Sequence, residues 1–139
     1  MIDLIGAIRT LLANIAAIIV SVAEIPIWGT PTTGTHTTTG VTEETILETT
    51  YTDPFQLWMS IRLAAMVALD DFTFRVYIRT DGANFDLKSE QQLLGAQTLD
   101  AYEIDGLYGD TGQDIRVTVR RGSLTDRAFP FRHNVKMEA

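Results

Sequence analysis

The chain has 139 residues, 45% of them hydrophobic and 21% charged, with a formal net charge of −7. That composition fits one folded domain with an appendage, not a disordered chain. The acidic balance argues against a nucleic-acid partner, which needs a basic footprint, and the lack of cysteine excludes disulfides, thiolate metal sites and cysteine nucleophiles.

Residues 1–28 form the appendage. Leu4, Ile8, Leu11, Ile15, Ile18, Val22 and Ile25 are spaced alternately by four and three, which is a heptad seam. Ile5, Leu12 and Ile19 run beside it, and Asp3, Thr10, Asn14 and Ser21 take the opposite face. Pro26 disfavours helical geometry in the residue before it, so the helix is expected to end by Glu24 or Ile25. One helix cannot hide this much apolar surface alone. Isoleucine and leucine mixed at both seam positions disfavour a simple dimer, and the second apolar line widens the contact face. The expectation is a self-associating trimer or larger homo-oligomer.

Two other covers are weighed. Ile2 to Ile27 is long enough for a membrane span of about 20 residues. Arg9 and Asn14 would be costly inside one, so membrane contact is the lesser expectation. A helix packed on its own domain is the third. A cleaved secretory signal is disfavoured, because Asp3 stands where such a signal carries a cation and Arg9 interrupts the apolar stretch.

Residues 29–41 are threonine-rich and punctuated by glycine, a composition that favours extended chain but cannot build a core. The stretch reads as a linker between helix and body, with His36 solvated within it. The body, residues 42–139, changes to a period of two. Phe55, Leu57, Met59, Ile61 and Leu63 point one way; Gln56, Trp58, Ser60 and Arg62 point the other. Residues 72–80 repeat the pattern, and Asp81-Gly82 supplies a turn onto residues 85–87. Ile115, Val117 and Val119 alternate with arginine and threonine. Phe129, Phe131, His133, Val135 and Met137 alternate with Pro130, Arg132, Asn134 and Lys136. Pro130 points to an edge strand or a strand start. Weaker strands are expected at residues 42–50 and 98–104, a crossing loop at 64–71, and a short helix or irregular strand at 89–94. About seven short strands with turn signals between them predict a mainly β fold. It is an antiparallel β-sandwich of jelly-roll or other Greek-key type, preceded by one N-terminal helix.

No nucleophile elbow, phosphate loop or zinc pattern is present, and the reading is non-enzymatic, without catalytic, cofactor-binding or metal residues. His36 and His133 are far apart in sequence, and His133 is read as a hydrogen-bonded core or rim histidine. Gly106, Gly109 and Gly112 read as a long hairpin loop. Carboxylates cluster around it, and calcium at the Asp105–Asp114 loop is a minor expectation beside plain solvation. Arg62, Arg75, Arg79, Arg116 and Arg120 take outward positions on separate strands. If those strands are neighbours, the arginines either pair with acids across strands or form a subunit interface.

The segments EETILETT, DDFTFRVYIRTDG, Gly95–Gln97, DIRVTVRRG and RAFPFR resemble small β-sandwich virion proteins of tailed phages and other viruses. The resemblance covers residue 42 to the C-terminus. It implies a capsid, decoration, turret or tail component, located in the virion, with itself and other virion proteins as partners. It carries no catalytic residue. An apolar helix, a threonine-rich neck and a sandwich also resemble the layout of archaeal pilins and archaellins, which implies an extracellular filament or the cell surface. A third reading is a carbohydrate-binding attachment domain using Trp58, Tyr77, Tyr102 and Tyr108.

Overall fold

The computed structural model describes residues 3–23 and 28–137, with the side chains of 3–16 and 28–137. A single helix, α1 (Leu4–Ala23), comes first. Asp3 caps it, its Oδ1 accepting the Gly6 N–H at 3.0 Å, as an acidic N-cap does. Ile25 and the expected helix end lie outside the described residues.

Eight strands follow: β1 (Thr32–Thr37), β2 (Glu43–Thr50), β3 (Phe55–Arg62), β4 (Asp71–Arg79), β5 (Phe85–Leu94), β6 (Ala101–Gly109), β7 (Asp114–Arg121) and β8 (Ala128–Met137). They build two antiparallel sheets in the orders β1-β8-β3-β6 and β2-β7-β4-β5. The first four strands alternate between the two sheets, and the last four return in reverse order beside them. This is the strand order of an eight-stranded jelly roll, so the Greek-key alternatives left open by the sequence are resolved.

The period-two strands are the interior ones. On β3, β4 and β7 every second residue is buried: Phe55, Leu57, Met59 and Ile61; Phe72, Phe74, Val76 and Ile78; Ile115, Val117 and Val119. Phe129 of β8 crosses from the first sheet and lies edge-on to both Phe72 and Phe74 of the second, with ring centroids 4.9 and 5.3 Å apart. Edge-to-face aromatics set the positive rim of one ring against the negative face of the next. That contact fixes the two sheets at mid-core.

Several expectations need correction. The threonine-rich stretch is not a free linker along its length. Residues 32–37 form edge strand β1, paired antiparallel with β8 from Thr32↔His133 to Thr37↔Ala128. The β-branched residues favour extended chain, and β8 supplies the hydrogen bonds. His36 therefore sits half-buried opposite Phe129, its Nε2 3.2 Å from Glu44. Strand β8 is interior, not an edge. Pro130 is tolerated because pairing with β3 stops at Phe131, so only β1 borders the chain there.

Residues 85–94 are one strand, without a helix at 89–94. Gly106–Gly109 lie inside β6, and residues 110–113 cross from the first sheet to the second instead of closing a hairpin. Asp105 and Gly106 together face Trp58, because the register moves from Leu57↔Leu107 to Met59↔Ile104. This is a β-bulge, and the left-handed φ of 65° at Gly106 is the conformation that glycine adopts without penalty.

The two ends of the sandwich differ. Loops 38–42, 63–70, 95–100 and 122–127 share one end. Asp70 and Arg127 tie two of them, with Arg127 Nε donating to Asp70 Oδ2 at 2.8 Å. Burial works against ionisation of Asp70, but the Arg127 guanidinium and the Val67 N–H outweigh it and lower its pKa. Leu69 and Leu124, in two of these loops, are each 94% exposed, and Val67 and Leu99 of the same set of loops are exposed as well. The other end carries the polar turns 51–54, 80–84 and 110–113. The chain from α1 enters there, where Trp28 bridges Lys136 and the Gly29 N–H donates to Val135 O at 2.8 Å.

Candidate functional site

Three surfaces bear on function: α1 and the two outward sheet faces. On α1, Leu4, Ile8, Leu11 and Ile15 of the seam are 44–66% exposed, as are Ile5 and Leu12 of the second line. Over these described residues the helix is not packed on its own domain. The side chains of Ile18 and Val22, and all of Ile25, lie outside what the structure describes. Among the described residues, no helix is long and apolar enough to cross a membrane.

The second sheet gathers four of the five singled-out arginines. Strands β4 and β7 are neighbours, so Arg75, Arg79, Arg116 and Arg120 share one face. Arg62 lies on the other sheet, in β3, and the five do not form one patch. Most of the gathered charge is neutralised in place. Arg75 binds Glu43 at 2.8 Å and Glu90 at 2.5 Å, Arg79 binds Asp114, and Arg116 binds Glu48 at 2.9 Å. The guanidinium of Arg116 also lies over the Phe85 ring, 3.8 Å from its centroid. Glu43 is the hub, accepting from Tyr77 at 2.8 Å and Thr118 at 2.5 Å as well as from Arg75. Burial works against its ionisation, but these donors outweigh it and lower its pKa. The Thr50 hydroxyl and then Arg79 lower that of Asp114 in the same way. The cross-strand pairing reading describes this face; Arg120 is its exposed cation without a carboxylate partner among the described residues.

The first sheet is arranged differently. Its outer face carries Trp58 opposite Asn134, then Ser60 between Arg132 and Glu103, then Arg62 opposite Ala101. Thr33 and Thr35 of β1 complete the rows beside Arg132 and Pro130. Trp58, Ser60, Arg62, Arg132, Thr33 and Thr35 line a groove of about 660 Å³. Gly34 and Phe131 also border it; the Phe131 ring itself has the inward parity of β8 and packs against the core, held against β1 because Gly34 has no side chain. A Cβ at Gly34 would stand 2.6 Å from Phe131 Cζ. Trp28 lies at the Trp58 end, across Asn134. Ser60 Oγ donates to Glu103 at 2.7 Å, while Arg62 and Arg132 are exposed and have no carboxylate partner among the described residues. Sequence reasoning reached Trp58 and Arg62 but not Arg132; the missing signal was its outward position in β8, the same parity that marked the other arginines.

The remaining candidates do not converge. Asp114 is committed to Arg79 and Thr50, and among the described residues no three His, Asp or Glu side chains could hold a metal ion together. The calcium expectation at the Asp105–Asp114 loop therefore finds no ligand set. His133 faces inward opposite Met59 and is half-buried, its Nδ1 without a hydrogen-bond partner among the described residues. It is a rim histidine but not the hydrogen-bonded one expected, and burial lowers its pKa. Tyr77 hydrogen-bonds Glu43 on the second sheet, Tyr102 packs on Phe74, and Tyr108 is exposed on β6, so the four aromatics weighed for sugar binding do not form one patch.

No protein-family model and no curated protein matches the chain. Among solved structures, a Yersinia pseudotuberculosis-derived mitogen is similar at 13% identity and a TM-score of 0.46, over 81% of this chain and 87% of the mitogen. A chain in the structure of infectious bursal disease virus, Gt strain, is similar at 8% identity and a TM-score of 0.39. That match takes in 83% of this chain and 34% of the viral one.

Proposed function

We propose that the chain is a non-enzymatic structural subunit of a virion, and that it self-assembles through α1. The observation that carries the reading is the bare seam of α1. Leu4, Ile8, Leu11 and Ile15 are exposed, while both sheets close a full core without them. Apolar surface left in water at about 25 cal/mol per Å² is a standing drive to associate. Sister helices are the cover that a heptad fits, in a trimer or larger ring. Leu69 and Leu124 offer a second apolar contact at the opposite end, so one subunit has a docking stem and a docking tip. Subunits of this form suit a shell or a projection built from repeated copies. The virion assignment is supported by analogy: eight-stranded jelly rolls serve viral capsids, and the body resembles small virion sandwiches.

Truncation tests the reading. Removal of residues 1–27 keeps Trp28, which pairs with Lys136. The expected product is a folded, β-rich monomer by sedimentation, while the intact chain sediments as a trimer or larger. Ile15→Asp should dissociate the intact chain as truncation does, because a charge in an apolar seam costs several kcal/mol. An intact chain that sediments as a monomer in plain buffer would overturn the proposal.

A further inference from the structure

The two outer faces treat their arginines differently: three of the four on the second sheet hold carboxylates, and the open groove lies on the face where neither arginine does among the described residues. On the second sheet Arg75, Arg79 and Arg116 each hold a carboxylate. On the first, Arg62 and Arg132 hold none among the described residues, in a chain whose net charge is −7. Alternate residues of a strand are about 6.8 Å apart and neighbouring strands about 4.8 Å, so Arg62 and Arg132, one row and one strand apart, stand about 8 Å from each other at Cα. Long guanidinium side chains at that spacing can meet on one anionic group or take two on successive units of a chain. Trp58 stands one row beyond Arg132 on the other side, half-buried, with its indole lining the groove. The hydroxyls of Thr33, Thr35 and Ser60 lie between and beside them.

We propose that this groove binds an acidic oligosaccharide. Trp58 would be the platform for one sugar ring, and Arg132 and Arg62 would be the forks that hold its acid groups. A pyranose presents a face of C–H groups, which rests on an indole, and an edge of hydroxyls, which needs small polar partners. Carboxylate and sulfate groups match the planar two-donor guanidinium. Asp100 lines the Ala101 end and accepts sugar hydroxyls there while repelling a further acid group. Trp28, beyond Asn134, extends the aromatic track by a second ring. A single-stranded nucleic acid also stacks and carries anions, but its binding draws on a basic field that tracks the backbone, and this chain has an acidic one. The assignment goes beyond the assembly reading and does not rest on it.

The test uses the full chain at low ionic strength, titrated calorimetrically with four probes: a galacturonic acid tetramer, a heparin-derived tetrasaccharide, cellotetraose and a thymidylate hexamer. The expected result is binding of at least one acidic saccharide, the two probes telling carboxylate from sulfate recognition, with no heat from cellotetraose. The variant R62Q/R132Q should bind the acidic probe about tenfold or more weakly, the loss of two charge-assisted contacts. Trp58→Ala should weaken it similarly. Since Trp58 is half-buried and its removal can disturb the sheet, the arginine variant, altered only at exposed positions, is the deciding one. Its thermal midpoint should match that of the parent. Silence from both acidic saccharides overturns the proposal, as does unchanged affinity in R62Q/R132Q. Tighter binding of the thymidylate hexamer overturns it in favour of single-stranded nucleic acid. A monomeric chain that still binds the acidic probe would sink the assembly reading and leave this one standing.

Discussion

The two outward faces are both four-stranded and both carry arginines, four on one and two on the other, yet the first holds all but Arg120 in ion pairs and the second is open. On the β2-β7-β4-β5 face, Glu43, Glu48, Glu90 and Asp114 lie across from Arg75, Arg79 and Arg116, and each guanidinium is held within the sheet. On the β1-β8-β3-β6 face, Glu103 is turned to Ser60, and Arg62 and Arg132 border a groove. An arginine says little about use until its partners are known. A paired arginine is part of the wall, and a bare one beside a concavity is available to something outside. The difference is measurable, because charges that are satisfied within the fold are coupled to stability and open ones are not.

The largest effect should come from Asp114→Ala. The substitution strands Arg79 and removes the acceptor of the Thr50 hydroxyl at a buried position. Leaving one partner of such a pair uncompensated costs about 2 kcal/mol, read as a lowered midpoint in urea. Glu43→Gln should follow at about 1 kcal/mol, since the amide still accepts from Tyr77 or Thr118 but no longer neutralises Arg75. If either variant unfolds at the parental urea concentration, the face is not closed in the sense argued.

Acid should separate the faces next. The pKa values of Glu43, Asp114 and Asp70 are lowered in the folded chain. Below the ordinary carboxylate range the unfolded chain takes up protons first. The stabilisation from these groups is therefore full above about pH 5 and is lost as the pH falls through their lowered values. Urea midpoints measured from pH 6 downward should fall. The fall should be shallower for an Asp114→Asn, Glu43→Gln variant, which has already lost two of the three groups. An equally steep fall in that variant would place the acid sensitivity elsewhere.

Much of the fold could be read from residues whose strands have neighbours on both sides. Strands β3, β4 and β7 bury one face completely, so their apolar residues recur every second position without exception. The edges could not be read as well. In β1 the sequence TTGTHT has no apolar residue to alternate, and its partner β8 alone makes it a strand. In β5, Ser89 and Gln91 pair with Val76 and Phe74 but are exposed, so no core selects for a pattern. The same blindness scattered the site. Trp58 and Arg62 are outward by parity, but strand order decides which other residues stand beside them. That order put Arg132 next to Ser60 and set Arg62 on a different sheet from Arg75 and Arg79. Parity is a property of one strand, whereas a binding face belongs to several.

The smallest effect is the most informative. R62Q/R132Q should leave the stability read from urea within about 0.5 kcal/mol of the parent, because among the described residues neither guanidinium has a carboxylate to lose and both are exposed. Added salt should discriminate further. Screening weakens the ionic lattice of the second sheet in parent and variant alike, so the two should share one salt dependence of stability. A loss near that of Asp114→Ala would mean that Arg62 and Arg132 are wall, held by contacts within the sheet, and the groove would then be a seam of the fold. A silent substitution places the two arginines outside the energetics of folding. Two cations that cost the fold nothing, in successive rows to one side of a half-buried tryptophan, are then free for the ligand proposed above.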